Sequence, residues 1–248
     1  MRLTVLGCSG TFPGPDSPCS GYLVEHDGYR VVVDLGAGAL GPLQRHCDLL
    51  DIDAVVVSHL HTDHCIDLVA YAYARRYHPG GVPPRLPVHG PVGTCERIRD
   101  AFEAPPADGL LEVYDFRDLG TGPVALGPFT LTTAVVNHPV ESRAIRLEAG
   151  GRTLVYSSDS GECDALVDLA QGADLFLCEA SWPSDPVPPP DIHLTGRQAG
   201  EHAARAQVPR LVLTHLMPFA DRGVMLAEAR DAYGGPLELA HCGADFTV

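Results

Sequence analysis

Positive charge is what this sequence has least of: 17 lysine and arginine residues stand against 32 aspartates and glutamates, a formal charge of −15 at neutral pH. A surface that neutralises many phosphates needs the opposite sign, so long nucleic acid is not the expected partner. A small anion held at metal ions remains open, because the ions supply local positive charge. No stretch approaches the ~20 apolar residues of a membrane span. The opening MRLTVLGCSGT enters a strand-like run without the apolar region of a secretory signal. These absences predict a cytoplasmic protein with no membrane partner. The eight cysteines (8, 19, 47, 65, 95, 163, 178 and 242) contain no CxxC pair. They are scattered through a chain too large to need covalent staples, and they read as free, buried thiols. There is also no low-complexity tract, short repeat or flexible linker, so residues 1–248 are expected to form one domain. What is present is ordinary for a globular protein, with 45% hydrophobic and 20% charged residues and length enough for a sizeable core.

The apolar pattern predicts strands at Leu3–Leu6, Tyr22–Glu25, Tyr29–Asp34 and Ala54–Val57 in the first half. Helices are expected from about Leu40 to Leu49, from Ile66 to Tyr77 and over Val92–Phe102. The segment HPGGVPPRLPVHGP reads as a Pro/Gly-rich return between the last two helices. In the second half, strands are expected at Phe129–Val135, Arg143–Glu148, Thr153–Ser157, Asp174–Cys178, Arg210–Thr214 and Leu237–Ala240. Helices alternate with them at Glu162–Ala170, Thr195–Ala206 and Met225–Tyr233, Thr195 and Gln198 standing as a capping box. Pro183 to Pro190 reads as a stiff surface loop. Several strands followed by helices, roughly twice over, predict two sheets face to face with helices outside.

The chemistry is concentrated in Ser58-His59-Leu60-His61-Thr62-Asp63-His64, which begins where an apolar strand ends. Three imidazoles and a carboxylate within six residues are N and O donors of the kind Zn²⁺ takes. Neighbours in a tight loop point apart, so His59 and His61 can share one ion while Asp63 and His64 face a second. His138, Asp159 and His215 each follow another apolar strand, where a common sheet rim would collect them. Cys65, one past the motif, reads as a small buried residue. Histidines 26, 46, 78, 89, 202 and 241 match no motif.

HxHxDH followed by His, Asp and His at strand ends, with Asp34-Leu35-Gly36-Ala37-Gly38 as a DxGxG after an early strand, resembles the metallo-β-lactamase superfamily over the whole chain. The resemblance implies an α/β fold, an αββα four-layer sandwich of two mixed β-sheets flanked by helices. It implies two divalent metal ions bridged by a hydroxide, Zn²⁺ being expected, with Mn²⁺ or Fe²⁺ compatible with the same donors. His59, His61 and His138 would hold one ion, Asp63, His64 and His215 the other, with Asp159 between them.

Leu177-Cys178-Glu179-Ala180-Ser181 and His193-Leu194-Thr195 resemble two motifs of the RNase Z branch. There the glutamate orients the histidine, which protonates a poor alkoxide leaving group. RNase Z itself carries a long arm between the positions matching His138 and Asp159. Here only 20 residues separate them, and the two strands predicted there use them fully. What remains resembles the short, arm-less RNase Z-like proteins of actinobacterial type described as atypical cyclic-AMP phosphodiesterases. The implied activity is hydrolysis of cyclic AMP to 5′-AMP, with Asp63, Glu179 and His193 as catalytic residues and homodimers common among relatives. The rival readings are a lactonase, thioesterase or β-lactamase on the same scaffold, an RNase Z-like ribonuclease, or a silent binding protein. The loop Gly7–Pro15 either contacts substrate or only supports packing.

Overall fold

Val31-Val32-Val33 and Leu175-Phe176-Leu177 show no polar alternation, which demands cover on both faces of the strand. The computed structural model, which describes residues 1–102 and 109–248, supplies that cover. In chain order it forms β1 (Arg2–Gly7), β2 (Gly21–His26), β3 (Tyr29–Leu35), α1 (Leu40–Leu43), β4 (Ala54–Val56), α2 (Thr62–Cys65) and α3 (Asp67–Arg76). Next come β5 (Leu86–Gly90), α4 (Thr94–Ala101), α5 (Gly109–Val113), β6 (Tyr114–Asp118), β7 (Val124–Leu126), β8 (Phe129–Val136), β9 (Ser142–Ala149) and β10 (Arg152–Tyr156). The chain ends with α6 (Asp164–Ala170), β11 (Leu175–Glu179), α7 (Gly196–Arg205), β12 (Leu211–Thr214), α8 (Arg222–Ala232), β13 (Leu237–Leu239) and β14 (Asp245–Thr247).

Two seven-stranded sheets result, ordered β14-β1-β2-β3-β4-β5-β6 and β13-β12-β11-β10-β9-β8-β7. Each is mixed: β3 to β6 and β10 to β13 pair in parallel, the remaining neighbours antiparallel. Val31, Val33, Leu175 and Leu177 fill the space between the sheets. The alternate residues Val32 and Phe176 face the helix layers, Val32 packing with Leu68 and Ile98, Phe176 with Ala199 and Met225. The expected αββα sandwich is therefore present.

Some elements differ from the sequence reading. The Pro/Gly-rich return contains strand β5, with Pro87 inside it. Pro87 pairs only with Asp115 of β6, and the ladder to β4 starts one residue later at Val55 and Val88, so no donor is missing on that side. The helix expected to reach Leu49 stops at Leu43, where the Arg45 and His46 N–H groups tighten onto the carbonyls three residues back. Asp48 then caps a separate 3₁₀ turn, its Oδ1 accepting from Leu50 N at 2.8 Å. Strands β6, β7 and β14 were not foreseen because they are short, and β6 and β7 stand at sheet edges with exposed residues. The capping box is formed as read, Thr195 Oγ1 accepting from Gln198 N and Gln198 Oε1 from Thr195 N.

Candidate metal centre

The donors arrive from the ends of β4, β8, β10 and β12, the rim where parallel strands collect ligand-binding side chains. The chain must turn sharply there, and three non-glycine residues along this rim adopt left-handed backbone: Asp34 near the end of β3 (φ 55°), Ser158 after β10 (φ 56°) and His215 after β12 (φ 52°). Such conformations are costly for residues with a Cβ and persist where the surroundings fix them. Gly36 has a different task. A Cβ there would stand 1.8 Å from the Asp63 carbonyl oxygen, so the bare glycine lets the one-turn helix α2 rest directly on the DxGxG loop.

Two groups of donor atoms face inward. His59, His61, His138 and Asp159 form one, and Asp63, His64, Asp159 and His215 the other, each with its atoms within 4.8 Å of one another. In the first, His61 Nδ1 lies 3.1 Å from His59 Nε2 and 3.3 Å from His138 Nε2. In the second, His64 Nε2 lies 3.2 Å from His215 Nε2, which is 3.2 Å from Asp63 Oδ2. Asp159 belongs to both: Oδ2 is 3.5 Å from His59 Nε2, and Oδ1 is 3.1 Å from His64 Nε2 and 3.3 Å from His215 Nε2.

The outward nitrogens decide what the inward ones can be. His64 Nδ1 meets Asp34 Oδ2 at 2.7 Å, His138 Nδ1 meets the Ile192 carbonyl at 2.8 Å, and His215 Nδ1 meets Ser181 Oγ at 2.8 Å. A carboxylate and a carbonyl only accept, so those imidazoles donate outward and turn unprotonated Nε2 atoms toward the centre. Lone pairs facing one another at 3.2 Å repel unless a cation lies among them. Asp159 Oδ1 adds to the case, being buried with no hydrogen-bond donor aimed at it among the described residues. Separations of 3.1–3.5 Å match the edge of a tetrahedron with donors ~2.0–2.2 Å from its centre, about 3.4 Å. The residues present fit two divalent ions.

Electrostatics agree. Burial, reinforced by neighbouring imidazoles, lowers the pKa of His59, His61 and His138, keeping them neutral as ligands must be. At His64 burial also disfavours charge, but Asp159 and Asp34 outweigh it and hold the pKa well above the ordinary value. That site thus attracts a cation, whether a proton or a metal. Burial would raise Asp63 and Asp159, yet both lie well below the usual carboxylate range because of His215 and His64.

The remaining motif residues adjoin this cluster. Glu179 is fully buried at the end of β11 and receives four donors. His193 Nδ1 (3.0 Å) and Ser160 N (2.6 Å) reach Oε1, while Ser181 Oγ (2.8 Å) and Leu194 N (3.2 Å) reach Oε2. His193 Nδ1 is 4.0 Å from Asp159 Oδ2, and its ring centre lies 5.2 Å from that of His215. Burial disfavours a charged His193, but the charge and hydrogen bond of Glu179, aided by Asp159, outweigh it and push the pKa up to about 9. A cavity of about 370 Å³ opens over the cluster, lined by His61, Asp63, His138, Asp159, His193 and the cation Arg97 among others.

All seven expected metal donors, with Glu179 and His193, therefore converge. Several partners escaped the sequence reading. Asp34 also accepts from Ser58 N and Oγ and from Tyr156 OH, so the DxGxG aspartate orients His64 and fixes the motif loop. Ser181 links Glu179 to His215; it was visible only as part of CEAS. Arg97 is remote in sequence, and no local pattern singles it out. The Gly7–Pro15 loop braces the site: Thr11 N donates to Asp63 Oδ2 at 2.9 Å, and Gly10 N to the Leu216 carbonyl at 3.0 Å. All eight cysteines are free, but only Cys8, Cys19, Cys65 and Cys178 are buried; Cys47, Cys95, Cys163 and Cys242 are half-buried, contrary to the expectation of buried thiols throughout. No helix among the described residues is long and apolar enough to cross a membrane.

Comparison with known proteins agrees with this geometry. A family model described as the beta-lactamase superfamily domain matches residues 29–216. An uncharacterized protein of Mycobacterium tuberculosis is 43% identical over 255 residues, covering 100% of this chain and 92% of its own length. A probable metallo-hydrolase of Bacillus subtilis, YhfI, is 31% identical over 245 residues, 98% of each chain. Its crystal structure superimposes with a TM-score of 0.89 at 28% identity over 99% of both chains. A ribonuclease Z of Mycobacterium bovis is 28% identical over 247 residues, covering 88% of this chain and 86% of the other.

Proposed function

This chain belongs to the beta-lactamase superfamily, a metallo-hydrolase related to ribonuclease Z, and from that membership we propose that it is a dinuclear metal-dependent phosphodiesterase. Its substrate in this reading is a small phosphodiester, a 3′,5′-cyclic nucleotide such as cyclic AMP, opened to the 5′-monophosphate. The observation that carries the reading is the His193–Glu179 pair, 3.0 Å apart beside the donor cluster. A ribose 3′-oxygen leaves badly without a proton, whereas β-lactams and esters with good leaving groups need no such acid.

His59, His61, His138 and Asp159 would hold one ion and Asp63, His64, His215 and Asp159 the other, Zn²⁺ suiting these N and O donors. When bound, two divalent ions lower the pKa of water and offset charge that develops at phosphorus. The protein supplies the rest. The Thr11 N–H, 2.9 Å from Oδ2, holds the Asp63 carboxylate, which orients the attacking water. Arg97 is the one cationic side chain other than histidine lining the cavity among the described residues, and it draws the phosphoryl group into an otherwise acidic molecule. Glu179 keeps His193 protonated at neutral pH, and His193 gives that proton to the departing oxygen. Strands β9 and β10 use the stretch between His138 and Asp159, where ribonuclease Z would carry its arm, so long RNA finds no clamp.

The test is turnover of cyclic nucleotides, bis(4-nitrophenyl) phosphate and a lactone by metal-reconstituted protein, with products separated by chromatography. Hydrolysis of a 3′,5′-cyclic nucleotide to the 5′-monophosphate supports the reading. Lactone turnover with no phosphodiester cleaved would replace it with hydrolysis at carbonyl carbon.

A further inference from the structure

The chain holds one tryptophan and seven phenylalanines, and two of the phenylalanines face solvent beside the donor cluster. Phe219 is 69% exposed and Phe12 is 42% exposed, with ring centres 5.9 Å apart and planes inclined by 31°. Trp182 stands behind them, its ring centre 6.5 Å from Phe219 and 6.5 Å from His193. A row of rings therefore runs outward from the leaving-group acid: His193, Trp182, Phe219, Phe12.

Both exposed rings sit on loops that serve the second group of donors. Phe12 follows Thr11, whose N–H binds Asp63, and Phe219 lies four residues past His215. The loops are tied together where Gly10 N meets the Leu216 carbonyl. The rings are thus held in place at the edge of the site while forfeiting the burial that stabilises a phenylalanine.

We propose that Phe12 and Phe219, backed by Trp182, form a stacking platform for the heteroaromatic base of a nucleotide substrate. This rests on the phosphodiesterase reading. With phosphate at the donor cluster and the leaving oxygen toward His193, the sugar bearing that oxygen lies on the His193 side, where the row of rings begins. A flat base extending from that sugar meets exposed aromatic faces, and stacking is tolerant of base identity because every base has a π-face. The platform accounts for binding a nucleoside in an acidic protein without a basic groove.

Because Trp182 is the sole tryptophan, its fluorescence reads the platform without any turnover. Metal-loaded protein is titrated with adenosine 5′-monophosphate and with ribose 5-phosphate, following Trp182 emission and, for both ligands, calorimetric affinity. The nucleotide should quench saturably and bind more tightly than the sugar phosphate. Phe219→Ala and Phe12→Ala should weaken the nucleotide roughly 5- to 150-fold, leave ribose 5-phosphate unchanged, and keep the melting temperature and metal content of the parent. Phe219→Tyr should restore most of the affinity. Equal affinity for the two ligands, or alanine variants that bind the nucleotide as the parent does, overturns the platform. Loss of a dimer in Phe219→Ala with nucleotide affinity intact also overturns it, assigning the rings to an interface between two copies. Failure of the phosphodiesterase reading is distinguishable, since cyclic nucleotides would then survive while adenosine 5′-monophosphate still binds at the rings.

Discussion

At the scale of single residues, Glu179 does more than orient a histidine. Its four donors tie together the acid His193, the residue after Asp159 and, through Ser181, the ligand His215. His193→Ala should keep two ions per chain and lose about 10²- to 10⁴-fold in kcat on a cyclic nucleotide, with a much smaller loss on bis(4-nitrophenyl) phosphate, whose leaving group needs no proton. Steady-state kinetics on the two substrates check this, and equal losses would count against His193 as the acid. The pH profile follows from the same pair. His193 is raised to about 9, so its acid form is present at neutral pH and kcat falls as pH rises through its pKa. Glu179→Gln removes the charge that raises it, so the alkaline limb should move to lower pH. A limb that stays in place would separate Glu179 from the proton transfer. Burial raises the thiols Cys19 and Cys65 to about 12 and about 11. Neither should react with iodoacetamide at pH 8 in native protein, as peptide mapping would show.

At the scale of elements, most donors were legible because β4, β10 and β12 are runs of apolar residues buried on both faces that end at a sheet rim, whereas β8, ahead of His138, has exposed positions. What escaped was set by contacts between distant segments. Asp34 could be recognised as a motif residue, yet its bond to His64 Nδ1 exists only because β3 and β4 lie side by side. Strand β5 was hidden by Pro87, which is tolerated because the β4 ladder begins beyond it. Arg97 reaches the cavity through the placement of α4. The packing of α2 on the DxGxG loop yields a sharp prediction. In Gly36→Ala the added Cβ would meet the Asp63 carbonyl oxygen at 1.8 Å, so α2 must shift and carry Asp63 and His64 with it. Elemental analysis should find the content falling from two ions toward one. Retention of two ions with full activity would mean the close approach does not position the site.

For the whole molecule, two sheets and two helix layers bring side chains from residues 59 to 215 onto one rim. Among the described residues, histidines are the groups that offset the charge of buried Asp63 and Asp159, and bound cations would add to that. Removing ions with a chelator should lower the melting temperature. Occupancy at about 100 times Kd is worth about 2.7 kcal/mol per site, and for a chain of this size that corresponds to roughly 5–10 °C. Calorimetry with and without chelator reads the shift. The acidic surface and the strands filling the place of the arm predict no cleavage of precursor tRNA under conditions where cyclic nucleotides turn over.

The account stands on two cations sharing Asp159, and native mass spectrometry of metal-reconstituted protein tests that most directly. It should find two ions per chain in the parent, one in His215→Ala, and loss of both in Asp159→Ala. A parent that binds fewer than two ions, or an Asp159→Ala chain that keeps both, would contradict it.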